Sequence, residues 1–103
     1  MTKPSPFYEI RTYTLKPGTR PSFQQRFEQQ ILPMLERFGI EVAGAGPSLH
    51  DEVSFHLIRR FASLSEREEQ LARFYGSEEW LEQHDREVMA MIETYSTCVV
   101  DES

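Results

Sequence analysis

Cysteine is almost missing from this chain. Cys98 stands alone, which excludes an intrachain disulfide and a cysteine-built zinc cage. A reducing cytosol is the simplest home for such a chain, with the Cys98 thiol packed as a small hydrophobe. Long apolar runs are also missing. None approaches the roughly 18 residues that cross a bilayer, and no apolar stretch follows Met1–Pro6 to make a secretory signal. Basic charge is scarce: 11 basic side chains face 17 acidic ones, for a net charge of −6. An acidic surface repels phosphate backbones and anionic lipid, so nucleic acid and membrane are poor partners. The glycine-rich motifs that cradle phosphates are absent, as is the G-x-S-x-G nucleophile elbow. No cofactor is implied.

What is present suits one globular domain. Of 103 residues, 39% are hydrophobic and 12% aromatic, enough for a modest core. Residues 1–6 read as a disordered lead-in and residues 7–103 as the domain. Phe7 to Leu15 (FYEIRTYTL) is a strand between Pro6 and Pro17-Gly18. Phe7, Glu9, Arg11, Tyr13 and Leu15 share one face of it. Thr19 and Pro21 open a helix whose stripe is Phe23, Phe27, Ile31, Met34, Leu35 and Phe38. Pro33 should kink it, and Gly39 ends it.

Ile40 and Val42 begin a short strand that Gly44, Gly46 and Pro47 weaken into an irregular edge. Val53 to Phe61 is a stronger strand. Ser63 and Glu66 have capping-box spacing and open a second helix, with Leu64, Leu71, Phe74 and Tyr75 on its apolar side. Gly76 breaks it. Ser77 caps a third helix with the stripe Trp80, His84, Val88, Met91 and Ile92, and Tyr95–Val100 is the closing strand.

The order β-α-β-β-α-α-β predicts a four-stranded antiparallel sheet with helices on one face, a ferredoxin-like α+β domain. The second sheet face would then expose a large apolar patch. Two copies stacking these faces would cover it, so a homodimer built as a barrel-like sandwich is expected. RNA-recognition motifs share this order, but the third strand lacks their glycine–aromatic signature.

The opening YEIRTYTLKPG (Tyr8–Gly18) resembles the start of a NIPSNAP domain, close to E-x-R-x-Y-x-L-x-x-G. RRFASLSERE (Arg59–Glu68) is similar to the family's Y-x-S-L-x-E-R region, and FYGSEEW (Phe74–Trp80) to its later tryptophan block. The resemblance covers residues 7–100. It implies a dimeric α/β barrel, a fold shared with small antibiotic-biosynthesis monooxygenases, but no particular reaction. The chain departs from the family at Arg59, where many members have Trp, and at Gln83, where a His is common.

Glu9, Arg11 and Tyr13 are the first candidates for chemistry. Strand alternation spaces them about 6–7 Å apart on one face. If that face lines the barrel interior, Arg11 can hold a ligand carboxylate or enolate and Tyr13 can donate to a carbonyl. Glu9 can act as a base if burial raises its pKa. The competing reading is a Glu9–Arg11 ion pair that only locks the dimer. Arg59 shares a face with Val53, Phe55, Leu57 and Phe61, so it is either a pocket residue or the partner of a buried Glu9. His56, in mid-strand, is a second candidate base or a core histidine. His50, in His50-Asp51-Glu52, sits on a loop at the barrel's rim, where no second His completes a metal site. Tyr75 and Trp80 flank Gly76 and either wall a pocket or anchor the third helix.

Two functions follow. One is a homodimeric cytosolic protein holding a small aromatic or carbonyl-bearing molecule. If catalytic, it would perform cofactor-independent oxygenation or isomerase-like proton transfer. The other is a non-catalytic interaction module whose polar residues lock the dimer. Haem binding through His56 or His50 is a third, weaker idea.

Overall fold

The computed structural model describes residues 6–102. Residues 1–5 of the expected lead-in lie outside the described residues. Strand β1 (Phe7–Leu15) has the predicted bounds, and its aromatic and β-branched residues pair on both sides. Strands β2 (Glu41–Pro47), β3 (Ser54–Phe61) and β4 (Ile92–Asp101) complete an antiparallel sheet in the order β2-β3-β1-β4. The glycine-rich β2 lies at an edge, as expected, and its register slips between Val42 and Gly44.

All the helices pack on one sheet face. The first helical stretch comprises α1 (Arg20–Arg26), a π-helical turn (Phe27–Ile31) and α2 (Leu32–Arg37). Pro33 explains the wider turn: it has no N–H to give to the preceding turn, and the Leu32 N–H reaches back five residues to the Phe27 carbonyl. Gly39 ends the stretch at φ 77°. In α3 (Leu64–Tyr75), the Ser63 side chain accepts from the Glu66 N–H, as the capping-box spacing predicts. Leu64 does not join the apolar side; it is 60% exposed.

The third predicted helix is two. It is α4 (Glu78–Gln83), capped by Ser77, and α5 (Asp85–Met91), bent at His84. The closing strand starts at Ile92, not Tyr95, so Ile92 leaves the helical stripe. The cause is local. Lys16 N–H takes the Met91 carbonyl at 2.8 Å, and Ile92 pairs with Leu15 in the sheet.

Phe7, Tyr13, Leu15, Phe55, Leu57 and Phe61 of the sheet meet Phe23, Phe27, Met34, Leu35, Phe74 and Trp80 of the helical layer. Phe55 is central, with its ring centroid 5.1 Å from Phe23 and 5.5 Å from Phe27. Fully burying side chains of this kind stabilises by about 1.5–3 kcal/mol each before entropy is charged.

The Glu9 face of β1 therefore points into the chain's own core. The expectation that this face lines a barrel between two copies is corrected, because helices of the same chain already enclose it. The opposite face, with Tyr8, Ile10, His56 and Ile58, has no helix of the described residues over it and is half-buried. Cys98 lies on that face opposite Ile10 and is exposed, so it does not pack as a core hydrophobe within the chain. No helix among the described residues is long and apolar enough to cross a membrane.

Candidate functional site

Pairing of β1 with β3 sets Glu9 beside Arg59, and both are 0% exposed. Arg59 donates to Glu9 Oε1 through Nε at 2.8 Å and Nη2 at 2.5 Å. Arg67, on α3, donates through Nε to Glu9 Oε2 at 2.8 Å. Arg11 approaches the same oxygen at 3.6 Å. Of the two readings open for Arg59, the buried partner of Glu9 is the one observed.

Burial pushes the Glu9 carboxyl up, but the charges of Arg59 and Arg11 and the bonds from Arg59 and Arg67 outweigh it and hold it below its ordinary value. The condition set for Glu9 as a base is therefore not met. With one carboxylate among three guanidiniums, the cluster keeps a positive excess.

Arg11 is held more loosely than Arg59. Its Nη1 donates to the Tyr75 hydroxyl at a long 3.4 Å, and its guanidinium lies over the Tyr95 ring at 5.2 Å. Its Nε is buried with no hydrogen-bond partner among the described residues. Tyr75 also accepts from Arg59 Nη1 at 3.0 Å.

Beside this cluster a cavity of about 260 Å³ opens between the sheet and α3–α5. Arg11, Tyr13, Tyr75, Trp80, Asp85 and Tyr95 line it among apolar side chains. A smaller apolar recess of about 30 Å³ continues behind Tyr13, Tyr75 and Trp80 toward Phe27 and Leu57. Tyr75 and Trp80 meet edge to face at 5.0 Å. The Trp80 indole N–H donates to Asp85 Oδ1 at 3.0 Å. Trp80 is thus both core and cavity wall. Burial, with Tyr75 nearby, pushes the Tyr13 phenol up to about 12 against the opposing charges of Arg11 and Arg59, so it stays protonated.

Arg11, Tyr13, Tyr75 and Trp80 thus meet at one cavity, with Glu9 and Arg59 behind them. Two candidates lie elsewhere. His56 projects from the open sheet face, opposite Thr12 on β1, and cannot share a site with Glu9. The His50 side chain is 96% exposed on its loop, beside Asp51 at 3.9 Å. No cluster of three or more metal-ligating side chains occurs among the described residues.

Arg67 and Asp85 are additions. Arg67, Leu71 and Tyr75 fall at four-residue spacing on α3, a signal that was readable as a basic residue on an apolar stripe. Asp85 had no such signal, because the bend at His84 breaks the periodicity that would place it beside Trp80.

A four-stranded antiparallel sheet, one helical layer and a cavity between them define a ferredoxin-like α+β protein. Its structure resembles a candidate antibiotic biosynthesis monooxygenase from Nitrosomonas europaea, at 12% identity and TM-score 0.72 over 98% of this chain and 93% of that one. That likeness is one of fold. The NIPSNAP family profile matches residues 8–100, and the chain belongs to that family. It is similar to a NIPSNAP family protein of unknown function from Agrobacterium tumefaciens, at 27% identity and TM-score 0.87, covering 97% of this chain and 90% of that one. A NIPSNAP-like domain protein from Burkholderia xenovorans has 17% identity and TM-score 0.84, over 94% and 84% of the two chains. No match was found among curated proteins.

Proposed function

We propose that the cavity between sheet and helices binds a small organic acid with a flat apolar body, and that Arg11 is its anchor. The observation that carries this reading is the state of the Arg11 guanidinium. It stands at the cavity wall with its side chain 13% exposed, and its Nη groups make only long contacts, 3.4 Å to the Tyr75 hydroxyl and 3.6 Å to Glu9. Guanidinium donors held this loosely at a cavity suit a ligand acceptor, and a carboxylate above all. Tyr75, Trp80 and Tyr95 supply the faces for a planar body.

Calorimetric titration with benzoate and phenylpyruvate, each against its neutral amide, tests this. The acids should bind measurably and the amides at least about tenfold more weakly, and Arg11→Gln should erase the difference. Equal binding of acid and amide, or unchanged preference in the variant, would overturn the anchor. Native mass spectrometry of protein from its own host would show any retained acid directly.

The same reading includes a homodimer formed through the open sheet face. Ile10, Ile58, Tyr8 and Val100 lie there half-buried without helical cover, which suits a second copy. The structural alternative applies to one part of the cluster: Glu9 has both carboxylate oxygens bonded, one by Arg59 and one by Arg67, and serves as a lock.

A further inference from the structure

We infer that Asp85 and Tyr75 form an acid–base pair for keto–enol proton transfer on a small 2-oxo acid, an assignment that rests on the binding reading above. Two carboxylates adjoin this region, and they are bound very differently. Glu9 is consumed by arginines at both oxygens. Asp85 lines the cavity, and among the described residues its side chain accepts from the Trp80 indole, on Oδ1. Oδ2 has no hydrogen-bond partner within the described residues and is free to take a proton.

Tyr75 is set up in the complementary sense. A hydroxyl oxygen has two lone pairs and one proton. Arg59 and Arg11 donate to the Tyr75 oxygen at 3.0 and 3.4 Å, which occupies its acceptor side. Its proton is left to donate into the cavity it lines. The two guanidiniums would also stabilise negative charge left on that oxygen. Contacts run in sequence from Arg11 through the Tyr75 ring to Trp80 and Asp85, so anchor, acid and base border one space.

A 2-oxo acid fits these groups in order. Its carboxylate sits on Arg11 and its carbonyl oxygen accepts from Tyr75. Asp85 takes a proton from the carbon next to the carbonyl. The C–H electron pair becomes the new C=C bond, and the carbonyl π pair moves to oxygen, which takes the Tyr75 proton. The enol leaves. Asp85 then loses its proton to water and Tyr75 regains one, so no oxidant or cofactor is required. Exposed Met89 and Tyr95 mark the side of the cavity open to water for that exchange.

Phenylpyruvate is the probe. Its C3 protons are followed by proton NMR in deuterated, weakly buffered water, and its binding is measured separately by calorimetry. Wild type should speed C3 exchange well above the buffer rate. Asp85→Asn keeps an acceptor for the Trp80 indole and should lose exchange by about 100-fold or more, as removal of a general base does. It should bind phenylpyruvate at least as tightly, since a like charge is gone. Tyr75→Phe should slow exchange about tenfold or more, with folding checked by circular dichroism. Binding without faster exchange, or equal exchange by Asp85→Asn, overturns the acid–base assignment and leaves the binding reading standing. Absence of both binding and exchange overturns the two together.

Discussion

Glu9 and Arg59 are each other's condition for being buried. Neither side chain reaches solvent; without Glu9 the buried Arg59 charge would have no carboxylate partner, and without Arg59 one Glu9 oxygen would lose both its donors. Glu9→Gln should therefore cost about 3–5 kcal/mol in urea unfolding, the range for removing one partner of a buried pair. Its pH dependence has a definite sign. The native pKa of Glu9 lies below its ordinary 4.5, because the arginines outweigh the upward push of burial. The unfolded chain therefore takes up this proton first on acidification. The stabilisation is complete above about pH 4.5 and is lost as pH falls through the native value. Wild type should lose stability there more steeply than Glu9→Gln. A parallel acid limb in the two proteins would contradict the assignment. Strand alternation already put Glu9, Arg11 and Tyr13 on one face. It could not say what lay above that face, because period-two spacing is blind to which layer covers which side. Hence Arg59 was legible as a possible partner of Glu9, while the cover of the Glu9 face was mistaken.

At the scale of elements, the turn from α3 into α4 positions both aromatic walls of the cavity. Gly76 joins Tyr75 to the Ser77 cap, and a Cβ there would meet the Ala72 carbonyl oxygen at 2.7 Å. Gly76→Ala should destabilise by about 1–3 kcal/mol, the range for overpacking, and weaken ligand binding by moving Tyr75. Thermal melts with calorimetry would show both. The bend at His84 gives a second expectation. His84 Nδ1 faces Arg26 Nη1 at 3.1 Å, with Glu79 and Glu87 nearby. Burial, then the charge of Arg26, lowers its pKa below 6.5 against the pull of those two acids. Stability tied to neutral His84 is thus present above pH 6.5 and lost as pH falls through the lower native value. His84→Gln should flatten unfolding free energy across that window. Elements with local punctuation were legible: β1 between its prolines, α3 from Ser63 and Glu66, the wide turn near Pro33. Ile92 and the α4–α5 bend were not. Lys16 and Leu15 set the first and Arg26 bears on the second, all remote in sequence.

For the whole molecule, the uncovered sheet face makes association the expected state. Light scattering at micromolar concentration should report twice the 12.1 kDa chain, and a charge placed centrally, as in Ile58→Glu, should halve that value. A 12.1 kDa particle for wild type would remove the homodimer. A single chain nevertheless supplies Arg11, Tyr75, Trp80 and Asp85 to the cavity. A dissociated Ile58→Glu subunit should consequently still titrate with one equivalent of acid along a simple hyperbola, with neither sigmoidal onset nor half-of-sites behaviour.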